Sequence, residues 1–214
     1  MTKIISLFLL LNLILSNKIS GQTEYSRVDL KEIKKNVKSK KKTTYYPLLF
    51  DRYKNNDSTL TIDDYKHLYY GTYFQKNFSW WADHRRNEIF RLIEKDDLTR
   101  ASSYCDSMLN ILPMSSQLIK LKIDILSKQN IDKNEIEKYK LKLKMLLTTI
   151  GLSGNGKSKE NAFLVLYIAD EYEYLRNVIG MKEMGMQSFQ MPFDHMCFKK
   201  VDDSNECLYF LPLK

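Results

Sequence analysis

Between residues 61 and 150 the apolar positions recur every three or four residues, which is the period of a helix with one buried face. Thr61 with Asp64 three residues later supplies a helix start, Tyr65, Leu68 and Tyr69 continue on one face, and Gly71 is a natural stop. A second run holds Ile89, Phe90 and Ile93, then Ala101, Cys105, Met108, Leu109 and Leu112, with a turn at 95–97 and a terminator at Pro113. Ser115 or Ser116 caps the next helix, carrying Leu118, Leu121 and Ile125. A polar break at 129–130 then opens a last amphipathic stretch, 131–150, with Ile136, Tyr139, Leu143 and Leu146. These segments predict antiparallel helices joined by short turns.

The period changes after Gly151. Residues 162–169 form a continuous apolar run rich in strand formers, and Asp170-Glu171 begins a helix through Tyr172, Leu175 and Ile179 that ends at Gly180. Residues 194–200 and 206–211 flank a polar turn at 202–205, as a hairpin does. The Met-rich link between 181 and 191 fits no single period. The fold class expected is α+β, mainly α, with tetratricopeptide-like antiparallel helices followed by a small C-terminal antiparallel sheet of three strands.

The first residues follow neither pattern. Lys3, an apolar stretch over 4–15 broken only by Ser6 and Asn12, and small residues at Ser20-Gly21 predict a signal peptide over 1–21. That stretch is shorter than the roughly 20 residues a bilayer span needs. Export to the periplasm or the exterior follows, with no transmembrane segment after cleavage. Residues 22–44 read as a flexible lysine-rich arm, since positions 31–42 hold seven lysines and one glutamate. Residues 45–214 then make one globular domain, a helical part over 45–150 and a strand, helix and hairpin part over 151–214.

The 214 residues carry a net charge of +8. Because much of that excess sits in the arm, and because the chain is read as exported, an anionic envelope surface suits it better than nucleic acid.

Candidate chemistry is sparse. Residues 151–158 match the phosphate-loop pattern G-x-x-x-x-G-K-[ST] at every fixed position, yet helical spacing precedes them and a strand pattern follows. A Gly-rich turn from helix to strand is the reading, with no nucleotide and no cofactor. Residues 53–64 imitate a calcium loop but place Tyr53 where a carboxylate is needed and Ser58 where glycine is needed, so no metal is assigned. Three cysteines are too few to frame the fold. A hairpin centred on Asp202 sets Cys197 opposite Cys207 with His195 on the same face, open to packed thiols, a possible disulfide or a zinc site short of a ligand. His67, His84 and His195 lie in no catalytic motif, although Asp83 precedes His84 and Asp194 precedes His195. Tyr69, Tyr70, Tyr73, Trp80 and Trp81 stand close together and make a possible binding groove for a glycan or peptide.

Two resemblances accompany these readings. Residues 87–113, with Ala101 and Pro113 in place, resemble one degenerate tetratricopeptide unit. Residues 46–53 (YPLLFDRY), 57–65 (DSTLTIDDY), 68–71 (LYYG), 154–158 (GNGKS), 170–172 (DEY) and 208–210 (LYF) together resemble a family of secreted bacteroidete proteins known as domain of unknown function 4919. That family brings no assigned activity and so no catalytic residue. The function expected is a binding or interaction module of the cell envelope, with an envelope protein or glycan as partner. The alternative is an exported hydrolase whose dyad the fold assembles around a histidine.

Overall fold

A computed structural model of the chain describes residues 28–79 and 86–213. The signal segment 1–21, Trp80, Trp81, Asp83 and His84 lie outside the described residues. Among the described residues eight α-helices precede or flank a four-stranded sheet. The helices are α1 (Leu30–Lys38), α2 (Tyr46–Lys54), α3 (Ile62–Thr72), α4 (Arg86–Glu94), α5 (Leu98–Ile111), α6 (Ser116–Lys128), α7 (Lys133–Gly151) and α8 (Ile168–Tyr174). The strands are β1 (Phe163–Val165), β2 (Met181–Gln190), β3 (Phe193–Lys200) and β4 (Asn205–Pro212), in the order β1-β4-β3-β2. The fold is therefore mainly α with a small C-terminal sheet.

Local signals explain most helix boundaries. Thr61 and Asp64 form a reciprocal capping box at the start of α3, which satisfies two backbone donors that the first turn leaves over. Asp97, Ser115 and Asp132 cap α5, α6 and α7. Helices α4 to α7 pack in chain order, α7 also packs on α3, and α3 carries α1 and α2.

Residues 30–38 correct the expected arm. Asp29 accepts bonds from Lys31 N–H and Glu32 N–H, and the helix that follows turns Ile33 and Val37 inward, 3% and 2% exposed. The lysines line the outer side of this helix, so their density marks a solvated face and not a mobile segment. Gly71 makes the docking possible, because a Cβ there would stand 2.8 Å from Val37 Cγ1.

The sheet also differs from the expected antiparallel triplet. The apolar run 162–169 gives only a three-residue strand, and β1 pairs in parallel with β4, Phe163 opposite Phe210. Helix α8 begins inside the same run at Ile168 and continues into one wide π-helical turn, Leu175–Ile179, which Gly180 ends with a φ of 82°. The Met-rich link is strand β2, antiparallel to β3. Two register shifts, between Met181 and Glu183 and between Met184 and Gln187, break the two-residue period by which a strand is read.

One carboxylate joins the helices to the C-terminal half. Asp170 is fully buried; its Oδ1 accepts from Ser116 N–H at 3.0 Å and Ser116 Oγ at 2.5 Å, and its Oδ2 accepts from Tyr69 Oη at 2.6 Å. Tyr69 Oη accepts in turn from Leu166 N–H at 2.9 Å. Tyr69→Phe is therefore expected to cost about 1–3 kcal/mol in urea unfolding, because it leaves Leu166 N–H buried without an acceptor. Burial, outweighing the bonds from Ser116 and Tyr69, pushes the Asp170 carboxyl up to about 6. The folded protein then holds a proton that the unfolded chain has already released between about pH 4 and pH 6. This group's stabilisation is present below that window and is lost as pH rises through it. The stability gap between wild type and Asp170→Asn should accordingly shrink from about pH 4 to pH 7; a constant gap would contradict this account.

Candidate functional site

The sequence-derived candidates separate in space. Tyr69 and Tyr70 are fully buried, their hydroxyls bonded to Asp170 and to the Leu164 carbonyl. They are core residues and line no groove; a bulky ring with one bonded hydroxyl fills a core as readily as it rims a cleft. Tyr73 is half-buried against Phe74 and Phe78.

His67 is committed to structure. Asn36 Oδ1 accepts from Lys42 Nζ at 2.5 Å, so Asn36 Nδ2 is the donor toward His67 Nε2 at 3.1 Å. His67 Nδ1 therefore carries the proton and donates to the Asp63 carbonyl at 2.9 Å. With both nitrogens engaged, this ring has no lone pair to offer a substrate. His195 stacks on Tyr209 on the outer face of the sheet, while Asp194, its neighbour in sequence, points into the core. Asp63 Oδ2 also lies 3.3 Å from His67 Nδ1, but that nitrogen carries the proton given to the Asp63 carbonyl and Nε2 accepts from Asn36, so this pair leaves no free base on the ring; His195 has no carboxylate partner among the described residues.

Register places Cys197 opposite Cys207, and the two are joined as a disulfide. His195 lies beside them, all three ligand atoms within 4.8 Å of one another. Sulfurs bonded to each other supply no thiolate, which is the form a zinc site requires. Cys105 stays a free thiol, buried and donating to the Leu118 carbonyl; burial pushes its pKa up to about 12 and leaves it unreactive.

The calcium-loop imitation is likewise filled from within. Asp57 accepts from Thr59 N–H, Thr59 Oγ1 and Arg52 Nε, which hold its carboxyl down at about 2, the Thr59 hydroxyl contributing most.

The phosphate-loop lookalike has its own geometry. Asn155 N–H and Gly156 N–H both donate to the Asn161 carbonyl, at 3.0 and 2.8 Å, and Lys157 N–H donates to Asn155 Oδ1 at 2.9 Å. Three of the N–H donors that would cradle a phosphate are thus spent inside the turn. Lys157 Nζ pairs with Glu206. Gly154 is required because a Cβ would stand 2.4 Å from the Asn161 carbonyl oxygen, and Gly156 because its φ is 69°.

What the loop does build is one wall of a cleft of about 780 Å³. Helix α7 supplies the opposite wall with Lys140, Leu143, Lys144, Leu147, Thr148 and Gly151, spaced at three and four residues along one face. Asn155 and Lys157 come from the loop, Glu206 and Leu208 from β4, and Asn177, Val178 and Ile179 from the π-helical turn. Phe163 and Tyr174 close the bottom, their centroids 4.6 Å apart. Ser153 fixes the loop from beneath, its hydroxyl donating to the Ile150 carbonyl and accepting from Leu164 N–H. Gly156 carbonyl accepts from Tyr209 N–H at 2.8 Å, so loop and β4 move as one piece.

The family model of the Domain of unknown function (DUF4919) matches residues 31–211, and so takes in every wall of the cleft. The chain belongs to this family. Comparison with curated proteins and with solved structures finds no match. In this DUF4919 chain, sequence reasoning missed the cleft because its walls lie far apart in the chain. The one local signal was the amphipathic boundary on α7, where Lys140 and Lys144 border Leu143 and Leu147.

The two glycine and lysine positions distinguish a packing turn from a phosphate cradle. Gly154→Ala should lower stability by about 1–3 kcal/mol through overpacking against backbone. Lys157→Ala should change it by less than about 1 kcal/mol, as for an exposed ion pair. Denaturant unfolding of the two variants measures this, and equal effects would refute the packing role of Gly154.

Proposed function

We propose that this DUF4919 protein is an exported binding module whose ligand, a component of the cell envelope, seats in the cleft between α7, the 153–157 loop and the Leu175–Ile179 turn. The observation that carries the reading is the cleft itself. Its volume falls within the range of roughly 300–1,000 Å³ typical of ligand sites, and its walls are apolar with a few convergent polar groups. The histidine geometry favours binding over hydrolysis, since His67 is saturated and His195 lacks a carboxylate partner. Consecutive packing of α4 to α7 fits the tetratricopeptide-like pairing and gives the cleft a stiff wall on α7. Export is supported by the charge, apolar stretch and small residues of segment 1–21 and by the secreted character of the family resembled. No helix among the described residues is long and apolar enough to cross a membrane.

Two experiments test the proposal. Residues 1–21 fused to a reporter that is active only outside the cytoplasm should give activity, and an inactive fusion would overturn export. Immobilised full chain should retain a component of cell-envelope extract that the cleft-filling variant Thr148→Trp does not retain. Equal retention by both proteins would refute the cleft as the binding site.

A further inference from the structure

We infer that the ligand of this cleft is a monomeric fatty carboxylate, its aliphatic chain against the leucine wall of α7 and its anionic head at Lys140 and Lys144. The inference rests on the cleft being the binding site and adds the chemistry of what it holds.

Three observations lead to it. First, the apolar lining is aliphatic: Leu143, Leu147, Leu208, Ile179 and Val178. The only rings, Phe163 and Tyr174, are buried and packed on each other, so neither offers the exposed flat platform on which a sugar or a nucleobase stacks. Val178 is half exposed at the rim. An alkyl chain laid along it would cover it.

Second, the charge of the lining is lopsided. Lys140, Lys144 and Lys157 face Glu206 as the one acidic group in the lining. Glu206 is already held by Lys157 and lies 3.5 Å from Lys200, and these lysines keep its carboxyl below the ordinary range, Lys157 foremost. Lys140 pairs with Glu137 across one turn, an exposed contact that a better-placed anion can replace. Lys144 has no ion-pair partner among the described residues and lies one turn along α7 from Lys140. Two ammonium groups one turn apart, at the edge of an aliphatic recess, present the complement of a carboxylate on an alkyl chain.

Third, the cleft is a recess between elements and not a flat face. Its bottom is closed by Phe163 and Tyr174, and the Tyr174 hydroxyl lies so close to α7 that a Cβ on Gly151 would stand 2.8 Å from it. A single chain can enter, whereas a bilayer surface cannot follow the concavity. This separates a free fatty carboxylate from an anionic lipid in a membrane, which shares the same head-group charge.

The test uses the full chain with three twelve-carbon amphiphiles below their micelle concentrations: dodecanoate, dodecanol and dodecyltrimethylammonium, by titration calorimetry. Dodecanoate should bind one to one and at least about tenfold more tightly than the other two, the contribution expected of one charge-assisted hydrogen bond at a partly exposed site. Lys140→Gln with Lys144→Gln should erase that preference while leaving the thermal unfolding midpoint near wild type. Thr148→Trp should weaken all binding. Equal affinity for the three amphiphiles, or a preference that survives the double lysine variant, overturns the carboxylate inference. Flotation of the protein with phosphatidylglycerol vesicles in the absence of dodecanoate binding would overturn it in favour of a membrane surface. If no amphiphile binds but envelope extract still yields a component that Thr148→Trp loses, the ligand class is wrong and the cleft reading stands. If Thr148→Trp loses nothing, both fall.

Discussion

The carboxylate of Asp170 is the constraint on which the rest of the structure depends. A buried acid is tolerated only when every lone pair facing the interior has a donor, and here the donors come from far along the chain. Ser116 brings the start of α6, fifty-four residues away, and Tyr69 brings the middle of α3, one hundred and one residues away. Tyr69 then passes the connection on, since its oxygen accepts Leu166 N–H just beyond β1. One side chain thereby fixes the start of α8 against two helices and a strand end. The direction of α8 determines where the wide turn Leu175–Ile179 falls, and with it the third wall of the cleft.

Helix α7 shows how one element serves both core and surface. Leu146 and Ile150 are fully buried in the core, while Lys140, Lys144 and Thr148 lie on the adjoining stripe and reach the cleft. Leu143 and Leu147 occupy the border between the stripes and belong to both. A cleft built this way has a rigid wall, because displacing it means displacing core residues. The loop wall is equally constrained through Ser153 beneath it and Tyr209 N–H at its side.

Features written in a few adjacent residues were legible in the sequence. The capping box at Thr61 and Asp64, the cap at Ser115, the stop at Gly180 and the hairpin around Asp202 depend on local chemistry and stand where the pattern placed them. Helix α1 was hidden by composition: seven lysines within 31–42 dominate any average, although Ile33 and Val37 sit four apart on one face. Strand β2 was hidden by its two register shifts, which remove the alternation by which a strand is read. The family was legible in motifs spread along the chain, and the family model matches residues 31–211. Tyr69 and Tyr70 could not be placed from sequence, since a tyrosine suits core and rim alike until its hydroxyl partner is known. The cleft was invisible for a related reason: its walls are contributed by residues from 140 to 208, and only the fold brings them together.

The phosphate-loop lookalike makes the same point at the scale of eight residues. Its glycines answer a demand of the backbone, not of a ligand. Gly154 lets the Asn161 and Ala162 carbonyls pass within contact, and Gly156 takes the left-handed turn that sends its own carbonyl to β4. Once the N–H groups of Asn155 and Gly156 have closed on Asn161 they are withdrawn from any anion, and Lys157 holds Glu206 in the cleft lining. That pairing ties up the one acidic side chain in the lining. The residues that imitate a nucleotide site thus leave Lys140 and Lys144 as the lysines of the cleft lining that are not tied to Glu206.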